Sequence, residues 1–235
     1  MWIKFCANTN LEDALIAAEL GANAVGFVFA PSKRQVTAAQ VAAITPHLPS
    51  ALEKIGVFMS ADALEIAEIV RSSGLTGVQL HGAFDAALVR LLREHLGEDI
   101  SITQTVHWEV DGKTNNAEDL AAELKEIAQE PAIDHVLIDS KSAKGAGGTG
   151  VSFDWSEARE ALAQFQGRLI VAGGLHPANV AAAIAALNPW GVDVASGVEA
   201  EPGRKDRQKL MCFIDAARNA RPRASSGPYV ITQQT

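Results

Sequence analysis

Arg168-Leu169-Ile170-Val171-Ala172-Gly173-Gly174 is a short apolar run that opens into two glycines. A second run, Trp190-Gly191-Val192-Asp193-Val194-Ala195, opens into Ser196-Gly197. Each reads as a buried strand ending in a turn with a bare backbone, and each turn leads towards a helical segment. Glycine lets backbone N–H groups come close to an anion, and a helix N-terminus favours negative charge. Counted from the start of the chain, these are the seventh and eighth strand-like runs. In an eight-fold β/α barrel the loops after strands 7 and 8 frequently build a phosphate site. The two turns therefore predict a barrel that holds a phosphorylated small molecule through Gly173, Gly174, Ser196 and Gly197.

Outward from these turns, strand-like runs occupy residues 2–6, 24–29, 54–58, 76–80, 100–106 and 135–139. Between them lie apolar stripes at helical spacing, such as Leu11/Ala14/Leu15/Ala18 and Ala63/Ile66/Ala67/Val70. Start signals stand where helices should begin: Asn10, Ser60, and Thr37 with Gln40 as a capping box. Pro177 suits a first helical turn, and Gly21, Gly74 and Gly97 suit helix ends. Strands alternating with helices imply a parallel sheet with right-handed crossovers. Eight such units at this length favour a closed (β/α)8 TIM barrel. An open doubly wound sheet would want glycine after the first strand, where this chain reads Ala7-Asn8-Thr9-Asn10. The expected organisation is one barrel domain over residues 1–220 and a short C-terminal tail over 221–235.

The chain has 235 residues, of which 48% are hydrophobic, and a net charge of −8. That apolar content suffices for a core, and the charge argues against nucleic acid or an anionic membrane as partner. No run is long and apolar enough to span a bilayer, and the N-terminus lacks a secretory pattern. Two distant cysteines, Cys6 and Cys212, do not make a disulfide framework. A reducing cytoplasm is the expected setting.

In such a barrel, chemistry sits at the C-terminal strand ends. Cys6 closes the first strand. Ionised, a thiol there is a base, and neighbouring dipoles or cations would lower its pKa; it is equally a small apolar core residue. Asp139 closes the sixth, after Val136-Leu137-Ile138. A carboxylate there is costly unless paired or used, so it is read either as a general acid or as a cap on backbone N–H groups. The two strands stand on different sides of the ring, as an acid and a base facing a substrate would. Arg34 follows strand 2 and suits a carboxylate or phosphate. Gln79 and His81 flank Leu80 and point together towards the mouth. His107 joins His81 and Asp139 as a possible metal ligand, but no HxH or HxxxH spacing exists, so no metal site is expected. The glycine-rich loop 144–150, with Gly148, reads as a lid.

Together these motifs resemble the phosphoribosylanthranilate isomerases of tryptophan biosynthesis. The resemblance rests on Lys4-Phe5-Cys6-Ala7-Asn8-Thr9-Asn10, Gly26-Phe27-Val28-Phe29 with Ser32-Lys33-Arg34, and Val78-Gln79-Leu80-His81-Gly82. It continues in Gly147-Gly148-Thr149-Gly150 with Phe153-Asp154-Trp155, Ala172-Gly173-Gly174-Leu175, and Val192-Asp193-Val194-Ala195-Ser196-Gly197-Val198-Glu199. It implies a (β/α)8 barrel with no cofactor and no metal, acting on a small phosphosugar as a monomer or homodimer. It also implies Cys6 as general base, Asp139 as general acid, Arg34 on the anthranilate side, and phosphate at the two glycine turns. Gln79, His81 and Gly148 complete the expected binding set.

Three positions depart from the family pattern. Glycine usually follows the catalytic cysteine, where this chain has Ala7; an apolar residue usually follows that, where it has Asn8; and strand 5 commonly ends near a basic residue, where it has Thr103-Gln104-Thr105. Two rival readings are an isomerase or epimerase of another phosphosugar, and a catalytically silent phosphosugar-binding barrel.

Overall fold

The computed structural model describes residues 1–109, 117–141, 159, 162 and 165–220. Eight strands close into a barrel in chain order. They are β1 (Trp2–Phe5), β2 (Ala24–Val28), β3 (Glu53–Phe58), β4 (Gly77–Leu80), β5 (Ser101–Glu109), β6 (His135–Lys141), β7 (Leu169–Ala172) and β8 (Gly191–Val194). Every adjacent pair is parallel, including the closing pair β1 and β8. The TIM barrel expected from the sequence is therefore the observed fold. The described helices are α1 (Leu11–Glu19), α2 (Ala38–Ala42), α3 (Ala63–Ser73), α4 (Ala86–Leu96), α5 (Ala117–Ile127), α6 (Val180–Leu187) and α7 (Arg207–Asn219). Among the described residues, no helix is long and apolar enough to cross a membrane.

The local signals mostly act where the sequence puts them. Asn10 caps α1 by accepting from the Asp13 amide, and Thr37 with Gln40 forms the capping box of α2. Gly74 and Gly97 adopt positive φ at the ends of α3 and α4. Two starts differ. Asp62, not Ser60, caps α3; its carboxylate accepts from Leu64 and Glu65, while Ser60 braces the Asp62 amide. Pro177 lies ahead of α6 in the preceding turn.

Period-two alternation divides the strands into two faces. Ile3, Phe5, Val25, Phe27, Val78, Leu80, Ile102, Val106, Val136 and Ile138 point outward into the main core beneath the helices. The other parity faces the barrel interior. Its lower layer contains Trp2, Ala24, Ile55, Leu137 and Ile170. Trp2, His135 and Trp190 stack there, and the Arg168 guanidinium lies over Trp190. Trp2 also donates its indole N–H to Glu53. This stack closes the end of the barrel remote from the strand C-termini. The same parity, carried up each strand, points Lys4, Cys6, Gln79, His107, Asp139 and Asp193 inward.

β5 and β6 run further than the sequence suggests, because their pairing continues through His107↔Asp139 to Glu109↔Lys141. The polar residues there hide the extension from an apolar-run criterion. The sequence also gave no sign of a short hairpin, β9 (Glu199–Glu201) with β10 (Arg204–Lys205), between β8 and α7. The lid loop 144–150 with Gly148, the Phe153-Asp154-Trp155 motif and the tail 221–235 lie outside the described residues.

Burial holds the His135 imidazole below its usual value; Asp134 pulls it back up and Arg168 pushes it further down. The unfolded chain therefore takes up this proton at higher pH than the folded one. Stability is full above the unfolded value of about 6.5 and is lost as pH falls towards the folded value. Between pH 7 and 5 the Tm of the wild type should drop more steeply than that of His135→Phe, which keeps a ring in the stack. Parallel Tm–pH curves would remove His135 as the cause.

Candidate active site

Cys6 follows β1 directly, and its amide is held by the Val194 carbonyl of β8 at 2.9 Å. Its side chain is buried inside the mouth. Room for the sulfur comes from Gly26 on β2: a Cβ there would stand 2.7 Å from Cys6 Sγ and 2.9 Å from Lys4 Cε. The glycine of the Gly26-Phe27 motif is thus a packing requirement of the thiol.

Two buried lysines attend that thiol, and neither was among the expected site residues. Lys4 lies below it. Its ammonium donates to Gln79 Oε1 at 2.6 Å and to Asp193 Oδ2 at 2.9 Å, and its charge acts on the thiol. Lys205, from the β9–β10 hairpin, donates to the Cys6 carbonyl at 2.6 Å, the Ala195 carbonyl at 3.2 Å and Glu199 Oε1 at 3.3 Å. The cations that a reactive cysteine needs are therefore present. They do not win outright. Burial raises the Cys6 pKa, Lys4 and Lys205 pull it down, Asp193 pushes it up, and the balance lies above the ordinary thiol value. This reverses the direction expected from the sequence, because the strand end is far better shielded from water than an exposed turn. Lys4 itself is opposed by burial, yet Asp193 and Cys6 hold its pKa above the usual value. For Lys205 burial prevails, and its pKa is lowered despite Glu199 and Cys6.

Arg34 reaches the same rim. Its Nε and Nη2 grip the Glu199 carboxylate at 2.6–3.0 Å in a bidentate pair. Burial opposes the Glu199 charge, but Arg34 and Lys205 hold its pKa below the usual range. Glu199 thus ties the arginine to the hairpin that supports Cys6. Gln79 is committed to the interior: it accepts from Lys4 through Oε1 and donates through Nε2 to Thr105 Oγ1 at 3.1 Å.

On the far side of the ring, Asp139 is half-exposed, with His81 Nε2 3.8 Å from its Oδ2. His81 meets His107 edge-on at 4.6 Å between ring centroids, and His107 Nε2 lies 3.0 Å from the His81 carbonyl. Among the described residues these three side chains form the cluster with potential to hold a metal.

The glycine turns converge. Gly173 and Gly174 both take positive φ, 85° and 61°. Around Gly174 a Cβ would meet nothing, whereas a Cβ on Gly197 would strike the Leu175 carbonyl. The loop after β8 therefore presses against the loop after β7, and side-chain-free backbone of both lines one corner of the mouth. Asn179 steadies the first loop by donating to the Gly174 carbonyl and accepting from the His176 amide. The second turn leads into a single 3-10 turn, Ser196–Val198, and not directly into a long helix, which starts only at α7.

This constellation can be set beside known proteins. The family model for N-(5'-phosphoribosyl)anthranilate (PRA) isomerase matches residues 3–216. The chain belongs to the N-(5'-phosphoribosyl)anthranilate isomerase family. The family's enzyme from Geobacter sp. (strain M21) is 37% identical over 217 residues, covering 92% of this chain and 97% of its own. The phosphoribosyl anthranilate isomerase of Thermotoga maritima superposes with a TM-score of 0.80 at 36% identity, over 93% of this chain and 98% of its own. Another solved isomerase, in complex with reduced 1-(O-carboxyphenylamino)-1-deoxyribulose 5-phosphate, superposes at 0.76 with 33% identity over 93% and 98%.

Ala7 stands where isomerases of this family usually have glycine, and its φ is +63°. The backbone must turn there so that the Asn8 amide and side chain reach back to Gly26 and Phe5 carbonyls. Left-handed geometry costs a non-glycine residue about 1–2 kcal/mol, while replacing alanine by glycine loosens the unfolded chain by about 0.4–1 kcal/mol. Strain is the larger effect, so Ala7→Gly should stabilise the protein by about 0.5–1 kcal/mol in urea unfolding. Destabilisation would mean that Ala7 is held there without strain.

Proposed function

We propose that this chain carries out the Amadori rearrangement of N-(5-phosphoribosyl)anthranilate to 1-(2-carboxyphenylamino)-1-deoxyribulose 5-phosphate, with Cys6 as general base and Asp139 as general acid. The observation that carries these roles is the inward parity of both groups at one rim, on strands β1 and β6 that are not neighbours. Asp139 gives a proton to the furanose ring oxygen, and the ring C1–O bond breaks as the nitrogen lone pair forms C1=N. The Cys6 thiolate takes the C2 proton, and those electrons make the enolamine, which tautomerises to the C2 ketone. The Cys6 thiolate forms inside the barrel wall, where Lys4 and Lys205 and not water meet it, whereas Asp139 stands at the open rim. The backbone of Gly173, Gly174, Ser196 and Gly197 receives the phosphate. Arg34, set by Glu199, serves the anthranilate side, and His81 and Gln79 complete the wall. Both cysteines are free thiols, which suits a reducing cytoplasm, where the chain acts as a monomer or homodimer.

Productive catalysis needs one proton on the pair, held by Asp139 and absent from Cys6. The kcat/KM profile should be bell-shaped, its limbs belonging to the pair. On the acid side the pair takes a second proton. On the alkaline side it loses its only one, and because the Cys6 thiol is pushed up, that limb should lie at or above the ordinary thiol range. Lys205→Met removes a cation beside the thiol and should move the limb higher still. An alkaline limb near neutrality in the wild type would refute Cys6 as the base.

Cys6→Ser should lower kcat by several orders of magnitude with KM little changed, whereas Cys212→Ser should be silent. Asp139→Asn should abolish turnover while a product analogue still binds. Retention of activity within about tenfold, roughly 1.4 kcal/mol of barrier, would make Asp139 structural. Inorganic phosphate should inhibit competitively, and a bulky residue at Gly174 should raise KM strongly. Non-competitive inhibition would move the phosphate away from these turns.

A further inference from the structure

We infer that His81, His107 and Asp139 form an inhibitory site for a divalent transition-metal ion at the mouth of the barrel. The three come from adjacent strands. His107 and Asp139 are direct register partners on β5 and β6, and His81 follows β4, its amide held by the Phe58 carbonyl at 2.8 Å. Strand parity aims all three side chains at the same space. Their donor atoms lie within 4.8 Å of one another, and all three residues are half-buried, open enough for an ion to enter.

Donors that share an ion at about 2.0–2.2 Å stand roughly 3.3 Å apart in tetrahedral geometry. Side-chain adjustments of about 1 Å thus close the site without moving a strand. The His81 carbonyl beside His107 Nε2 supplies the outer partner that orients a ligating imidazole. Two imidazoles and a carboxylate suit Zn2+, Co2+, Ni2+ or Cu2+, whereas Mg2+ and Ca2+ prefer all-oxygen shells. Three protein ligands leave a fourth position for water.

Such an ion blocks the reaction by simple chemistry. A carboxylate bound to a metal holds no transferable proton, so Asp139 is lost as the acid while the ion remains. The site itself does not depend on the reaction proposed above; only its inhibitory effect rests on that reading. Binding is therefore measured apart from turnover.

The test uses Cys212→Ser protein, which removes an exposed competing thiol. Co2+ titration should show saturable binding of one ion per chain, with visible d–d absorption displaced by Zn2+. His107→Gln, a residue outside the reaction scheme, should weaken Co2+ at least tenfold, about 1.4 kcal/mol, with Tm and metal-free turnover kept. Zn2+ should inhibit the parent protein, and His107→Gln should shift the inhibition midpoint upward by the same factor. Absence of saturable binding to the folded parent overturns the site. So does unchanged affinity in His107→Gln, or a sulfur-to-cobalt band that vanishes in Cys6→Ser. Confirmed binding without inhibition would keep the ion site, overturn its inhibitory role, and count against Asp139 as the acid.

Discussion

Lys4 and Asp193 are register partners across the seam where the first strand meets the last, and their charges touch at 2.9 Å out of reach of solvent. Each charge alone would cost several kcal/mol to bury, and removing one partner of such a pair typically costs about 3–5 kcal/mol. The barrel tolerates them only because it closes in this register, which brings the two together and adds Gln79 as a third partner. Everything at the mouth is built on this layer. The lysine that completes the seam also acts on the thiol through its charge, so the group that closes the fold sets the charge environment of Cys6.

A second layer of constraint comes from outside the barrel. The β9–β10 hairpin returns over the first loop: Thr9 donates to the Gly203 carbonyl, and the Lys205 amide donates to Asp13. Lys205 thereby satisfies two carbonyls at the ends of β1 and β8, and Glu199 orients Arg34. One short excursion fixes the loop that bears the thiol and the arginine at the rim. Ala7, strained in the same loop, is held in place by these bonds.

The alternation of runs and stripes made the barrel legible, because parallel strands covered by helices leave a strong apolar signature. Cys6, Asp139 and the glycine turns were legible too, since each ends such a run. What stayed hidden has physical reasons. Lys4 lies inside a run and becomes meaningful only when Asp193, far along the chain, pairs with it. The hairpin strands are three and two residues long, too short to carry a period. His81, His107 and Asp139 were visible as candidate ligands, but they share no sequence spacing, and their convergence comes from strand register alone. The direction of the Cys6 shift depends on burial, which no local motif encodes.

The clamp by Lys205 has a consequence for timing during synthesis. The thiol loop leaves the ribosome well before its clamp, which follows 199 residues later in the chain. Barrel closure through β8 must precede that clamp, so all eight strands and the hairpin after them have to be made before Cys6 acquires its final surroundings. Until then its sulfur is an ordinary thiol in water, with the ordinary fraction of reactive thiolate and the ordinary exposure to oxidants. Once folded, it sits behind Gly26 with its acidity reduced. Folding therefore shelters the residue from damage in the same event that gives it a place to work.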